Sequence, residues 1–174
     1  IGQSALTGGD YTIGIGWHVG YNNATGGNNN IYLGKDAGYS ITTGDDNICI
    51  GTNSNCHATN GSNIAIGNTA IAGGANCISI GNTTGSLITG ADDNIAIGTN
   101  VLNSITTNVA DKNIGIGGEA LTALTTGYNN VAIGYESLRD LTTGKNNTGV
   151  GRNTLRDIST GDYNVAIGGY AGQN

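Results

Sequence analysis

The stretch Asn129–Leu138 reads NNVAIGYESL, and variants of this phrase recur along the chain. NNTGVGRNTL begins at Asn146, YNVAIGGYAG at Tyr163 and DNIAIGTNVL at Asp93. A phrase that recurs at nearly fixed intervals is typical of an architecture built from stacked structural repeats. The repeat period is therefore the first property of the sequence to establish.

An aliphatic residue followed by Gly sets the period. Successive copies are 14 to 19 residues apart, and the last three intervals are 17 residues each. With the aliphatic residue as position 1, a full copy reads I-G-x-x-[AST]-L-x-x-[LI]-T-T-G-x-x-N-[IV]-A. The eleven copies are Ile1-Gly2, Ile15-Gly16, Leu33-Gly34, Ile50-Gly51, Ile66-Gly67, Ile80-Gly81, Ile97-Gly98, Ile116-Gly117, Ile133-Gly134, Val150-Gly151 and Ile167-Gly168.

Each copy contains a strand-like alternation. The β-branched residue at position 16 and the aliphatic residue at position 1 flank one small residue at position 17, which is the period-2 pattern of a strand. The Gly at position 2 marks one corner, and the TTG phrase, as in Thr125–Gly127, marks a second. We predict an all-β fold, a parallel β-solenoid of about ten coils of roughly 17 residues, forming a single domain over residues 1–174.

Position 15 carries a recurrent asparagine. Equivalent side chains of stacked coils lie about 4.8 Å apart, so a column of like charges would repel, whereas amides both donate and accept. Ten such rises predict a rod roughly 50 Å long. The predicted asparagine column consists of Asn30, Asn47, Asn63, Asn94, Asn113, Asn130, Asn147 and Asn164.

The side-chain faces suggest assembly. If positions 16 and 1 point into the coil, position 17 points outward and forms a small, nearly uncharged strip that includes Ala65, Ala96, Ala132 and Ala166. We expect this strip to pack against sister chains, because a coil of this length encloses a thin core without Phe and small cores commonly need oligomerisation. The first and last copies look like interior ones, so we expect a longer chain or end-to-end stacking.

The phrases NNVAIG, SNIAIG and DNIAIG resemble the repeats in the heads of YadA-like trimeric autotransporter adhesins. The longer phrase AIGYESLRDLTTGKNN, from Ala132, is similar to repeats of phage tail fibres and related surface proteins. The resemblance covers essentially the whole chain and implies a left-handed parallel β-roll, three chains per fibre and an extracellular, cell-surface or virion location. The coils exceed the adhesin repeat, and the chain has no stalk heptads or chaperone sequence.

Composition argues against several functions. The net charge of -6 disfavours a nucleic-acid surface, since phosphates attract Lys and Arg, and no apolar run approaches the roughly 20 residues that span a bilayer. The segment IGYESL fits one hexapeptide of β-helix acyltransferases, but the next two six-residue segments do not follow the hexapeptide pattern. His18 and His57 belong to no Ser/His/Asp arrangement. We expect no enzymatic activity.

Three ligand hypotheses stand as alternatives. The pairs Asp45-Asp46 and Asp92-Asp93 have the oxygen ligands that Ca²⁺ prefers, although Asp also forms turns, so we expect no cofactor and keep calcium as an alternative. A threonine-rich face would suit ice, and scattered aromatic residues would suit a cell-surface glycan or receptor.

The sequence predicts a structural fibre segment, the rod of a phage tail fibre or bacterial adhesin. The alternative is a subunit of an extracellular filament that stacks end to end. Both need stiffness and repeatable stacking.

Overall fold

A computed structural model describes residues 10–23, 26–57, 59–85 and 90–173. The copy Ile1-Gly2 lies outside the described residues. Within them the chain forms strands and turns, with no helix. The twelve strands are β1 Ile13–Ile15, β2 Ile31–Leu33, β3 Ile48–Ile50, β4 Asn55–Cys56, β5 Ile64–Ile66, β6 Ile71–Ala72, β7 Ile78–Ile80, β8 Ile95–Ile97, β9 Ile114–Ile116, β10 Val131–Ile133, β11 Thr148–Val150 and β12 Val165–Ile167.

Ten strands form one parallel sheet in the order β1-β2-β3-β5-β7-β8-β9-β10-β11-β12, and β4 pairs with β6 in a second parallel sheet. The register places equal repeat positions opposite one another, so Ile31 pairs with Ile48 and Val131 with Thr148. The fold is the predicted parallel β-solenoid, with about nine turns. Nine spacings of about 4.8 Å give a sheet about 43 Å long.

Hydrogen bonds between coils continue around the corners. The N–H of Leu138 donates to the Thr154 carbonyl at 2.9 Å, and that of Thr142 donates to the Ser159 carbonyl at 2.8 Å. Backbone donors in an isolated loop would need water or side chains as acceptors. Here the next coil supplies them, so the turns are as much a part of the stack as the strands.

The side chains face the opposite way from the sequence expectation. The central residue of each strand, at position 17, points into the coil: Ala65, Ala96 and Ala132 are buried and Ala166 is half-buried. The residues at positions 16 and 1 point outward. The predicted interchain strip of Ala65, Ala96, Ala132 and Ala166 is therefore wrong, because these residues line the interior.

The core lies between the strands and the facing corner. Leucines at positions 6 and 9, such as Leu121, Leu124, Leu138 and Leu141, are fully buried and pack against small residues at position 17 such as Ala132. One row of large side chains and one row of small ones fill the narrow coil. A second row of isoleucines has no space inside, which is the physical reason for the inverted orientation.

In one coil the large side chain is at position 17 and the small residue is at position 6, the reverse of the later coils. Position 17 holds Tyr32, which is fully buried, and position 6 holds Gly38. A Cβ at Gly38 would collide with the Tyr32 ring, so the ring occupies the space that a leucine fills elsewhere. The Tyr32 hydroxyl is buried without a hydrogen-bond partner, and burial raises the pKa of this phenol.

The corner glycines at position 2 cannot be replaced easily. Their φ angles lie between +117° and +144°, a region that side chains rarely adopt. At Gly134 a Cβ would also collide with the carbonyl of Gly151 in the next coil. The column comprises Gly16, Gly34, Gly51, Gly67, Gly81, Gly98, Gly117, Gly134, Gly151 and Gly168.

Replacing Gly134 with Ala should lower the free energy of unfolding by about 4 kcal/mol, since backbone strain and overpacking each cost about 1–3 kcal/mol. Urea denaturation followed by circular dichroism measures the loss. Gly169→Ala is the control, because a Cβ there meets nothing within 4 Å. Equal stability of the two variants would contradict this account of the corner.

Tyr32 and Gly38 should behave as a coupled pair. Tyr32→Ala leaves a cavity that costs about 3–5 kcal/mol, and Gly38→Leu alone forces a clash that costs about 1–3 kcal/mol or more. The double variant reproduces in this coil the arrangement of Ala132 and Leu138 in a later one, and it removes the unpaired hydroxyl. A double-mutant cycle in urea should show that the double variant is more stable than either single variant. If the losses in free energy of unfolding simply add, the exchange of sizes between Tyr32 and Gly38 is excluded.

Candidate functional site

The asparagines at position 15 form a column along the rod axis. The N–H of Asn130 donates to Asn113 Oδ1 at 3.0 Å, and its Nδ2 donates to the same oxygen at 3.1 Å. Its Nδ2 also donates to the carbonyl of Gly144, one coil further on, at 2.9 Å. The Asn130 amide therefore joins the coil before it to the coil after it, using its donor and acceptor groups together.

The column is interrupted once. Asn30, Asn47 and Asn63 are linked through backbone N–H bonds to Oδ1, and the N–H of Cys77 continues the series by donating to Asn63 Oδ1 at 2.8 Å. The Cys77 thiol instead donates to the Ala91 carbonyl at 3.3 Å. Nδ2 of Asn63 is buried without a partner, at the entry to the short 14-residue coil. The second segment comprises Asn94, Asn113, Asn130, Asn147 and Asn164.

The aspartates considered for calcium accept hydrogen bonds from the preceding coil, whereas the asparagine oxygens accept from the following coil. Asp45 Oδ1 accepts from the N–H of Asn28 in the preceding coil at 2.7 Å, and Asp92 Oδ1 accepts from the N–H of Ala75 at 2.8 Å. The described residues contain no group of three His, Cys, Asp or Glu side chains able to hold a metal ion. These carboxylates thus link successive coils, and the calcium alternative stays a prediction.

The outward side chains of the ten-stranded sheet form what we call the isoleucine face, two parallel columns at positions 16 and 1. Nineteen of its twenty residues are Ile, Val or Leu, and Thr148 is the exception. Ile15 and Leu33 expose 51% and 42% of their surface. Isolated apolar residues are normal on a surface, but a continuous apolar strip marks a contact site.

The threonine hydroxyls at the corner form hydrogen bonds between successive coils. The hydroxyl of Thr125 donates to the carbonyl of Thr142 in the next coil at 3.0 Å, and that of Thr142 donates to Ser159 at 2.8 Å. These hydroxyls are therefore occupied by the backbone, which disfavours the ice-binding alternative.

The two histidines occupy different surroundings. His18 Nδ1 lies 3.4 Å from Asp36 Oδ1 beside an open cleft. His57 Nδ1 lies 3.4 Å from the hydroxyl of Thr59 on an exposed turn.

Cys49, Cys56 and Cys77 are buried free thiols. The sulfurs of Cys49 and Cys56 lie 2.8 Å apart. Burial raises the pKa of the Cys56 and Cys77 thiols, so both remain protonated at neutral pH and react poorly as nucleophiles.

Comparison with protein-family models, curated proteins and solved structures gives no significant match. In the described part of the chain, no helix is long and apolar enough to cross a bilayer. The geometry itself defines the class: a parallel β-solenoid with buried amide columns and one apolar outer face.

Changing Asn113 to Asp should destabilise the fold by about 3–5 kcal/mol at neutral pH, because an uncompensated charge is buried. Asn113 Nδ2 lies within 3.2 Å of three acceptors, Asn94 Oδ1 and the carbonyls of Ala110 and Gly127, which share its two hydrogens. The carboxylate would face these acceptors without a donor.

Burial should raise the pKa of the new carboxyl above its unfolded value. The penalty should therefore be full above the folded pKa and should shrink as the pH falls toward the unfolded pKa. Denaturation at several pH values measures this trend. Gly118→Asp is the control, since a Cβ there makes only ordinary contact with Tyr135. A loss at Asn113 no larger than at Gly118 would contradict the account.

Proposed function

We propose that this chain is a non-enzymatic structural segment of an extracellular fibre, a rod in which copies of the chain pack through their isoleucine faces. The observation that carries the proposal is that face: an uncharged strip on an in-register parallel sheet. A tail fibre or surface adhesin needs such a rod to hold a receptor-binding part away from its anchor.

The axial hydrogen bonds support stiffness. Each coil bonds to the next through the sheet, the corners and the amide column, as at Ile114, Leu138 and Asn130. Because these bonds are distributed around the coil, bending the rod in any direction would stretch those on the outer side of the bend. Mechanical rigidity therefore follows from the stack itself, and no reacting group is required for it.

The face is a strip along the whole ten-stranded sheet, and copies of the same chain are its proposed occupant. Two columns about 43 Å long and about 10 Å wide present roughly 400 Å², which lies within the range of the largest apolar patches on monomers, roughly 300–600 Å². A stable pair buries about 800 Å² on each partner, so one such face supplies about half. Three chains closed around one axis would bury the face completely and add flanking surface to each contact, so we propose a trimer.

Two lysines in the middle of the face test the assembly. The variant Ile80→Lys/Ile97→Lys should convert native material from trimer to monomer, because each charge would be desolvated against an apolar neighbour. The control Asn82→Lys/Thr99→Lys adds the same charges at exposed positions two residues further on and should leave the mass unchanged. Analytical ultracentrifugation with circular dichroism measures association and folding separately.

A wild-type monomer at all concentrations would refute the assembly. Trimers that persist in the Ile80→Lys/Ile97→Lys variant would refute the face as their interface. Electron microscopy of native material separates the two fibre functions: rods of fixed length support the tail-fibre or adhesin function, and indefinitely long fibres support the filament alternative.

A further inference from the structure

Non-consensus aromatic residues cluster at one corner of the solenoid. Trp17 and His18 occupy positions 3 and 4 of one coil, and Tyr21 and Tyr39 occupy position 7 of that coil and the next. The rod does not require them, since later coils stack equally well with other residues at these positions. Their concentration in two adjacent coils therefore calls for another explanation.

Trp17, His18 and Tyr39 border an open cleft of about 430 Å³. The rings of Trp17 and His18 stack with centroids 3.7 Å apart, and those of Tyr21 and Tyr39 lie parallel within 4° at 5.4 Å. The cleft is lined by Trp17, His18, Asp36, Tyr39, Asn53 and Asn55, and so spans three successive coils. Its volume lies in the range of small-molecule sites, about 300–1,000 Å³.

Planar polar groups lie beside the rings. Asp36 Oδ1 is 3.4 Å from His18 Nδ1, and the Asn53 side chain is exposed at the cleft. Asn55 Oδ1 accepts from the N–H groups of Ser40 and Cys56, which fixes the orientation of an amide that lines the cleft. A pyranose ring has an apolar C–H face and a rim of hydroxyls, so it matches an aromatic ring flanked by carboxylate and amide groups.

The equivalent corner of the later coils carries ion pairs. There position 7 holds Arg139 and Arg156, which pair with Glu136 Oε2 at 3.3 Å and 3.4 Å. Each arginine also pairs with the acidic residue that follows it, Asp140 or Asp157. These ion pairs satisfy one another, and Arg152 lies over the Tyr135 ring, so the repeat itself provides an internal comparison for the open cleft.

We propose that the cleft between Trp17, Tyr39 and Asn53 is a carbohydrate-binding site for a neutral mono- or oligosaccharide. The Tyr39 ring packs against the sugar face, and Asp36, Asn53 and Asn55 hydrogen-bond its hydroxyls. The site occupies positions 3 to 7, outside the isoleucine face, so it does not depend on the proposed assembly.

Trp17 is the one tryptophan of the chain, so its fluorescence reports on the cleft directly. The full chain is titrated with glucose, galactose, mannose, N-acetylglucosamine, lactose and cellobiose, and with choline as a cationic comparison. We expect a saturable change in emission with at least one saccharide. Tyr39→Ala and Asn53→Ala, both at solvent-exposed side chains, should each weaken that binding about tenfold or more, a difference of about 1.4 kcal/mol.

Tyr135→Ala is the matched control, since Tyr135 is similarly exposed but lies beside Arg152 in a later coil. It should bind saccharide as the wild type does, and so should Ile80→Lys/Ile97→Lys, so that the two proposals fail separately. The site is refuted if no saccharide in the panel produces a saturable change, if choline alone does so, or if Tyr135→Ala weakens binding as much as Tyr39→Ala.

Discussion

The fold depends on one constraint: each coil hydrogen-bonds to the next with the same repeat position opposite itself. Ile31 lies opposite Ile48, and Val131 opposite Thr148. A residue must therefore be compatible with its own equivalent about 4.8 Å away. Amides, aliphatic side chains and bare glycine backbones satisfy this condition, whereas a buried column of like charges does not. The repetitive sequence follows directly from this condition.

The asparagine column and the corner aspartates differ in burial and in the direction of their hydrogen bonds along the rod. The Asn130 oxygen accepts from the coil that follows it, whereas the Asp45 carboxylate accepts from the coil that precedes it. The buried column must be neutral and needs donors as well as acceptors, which an amide supplies. At the exposed corner a carboxylate accepts equally well, and water screens its charge. The two columns therefore hold each coil from both sides.

The sequence predicted the period, the strand phrases and the corner glycines, because each depends on local chemistry repeated in register. The prediction of which strand face is buried was wrong. Alternation shows that Ala132 and Ile133 face opposite sides, but it does not say which side is the core. The decisive signal was the second apolar set, Leu138 and Leu141, which already fills the coil. Tyr32 and Gly38 carry the same information, since the ring at position 17 fills the space beside the glycine at position 6.

The cleft shows why a site is harder to predict than a repeat. Trp17 and Tyr39 are 22 residues apart and look scattered in the sequence. Once they are assigned to positions 3 and 7 of neighbouring coils, the stacking distance brings them to one corner. In a protein whose framework is fixed by its consensus, residues outside the consensus are free to carry specificity. Their positions relative to the repeat, rather than their separation along the chain, decide which of them can act together.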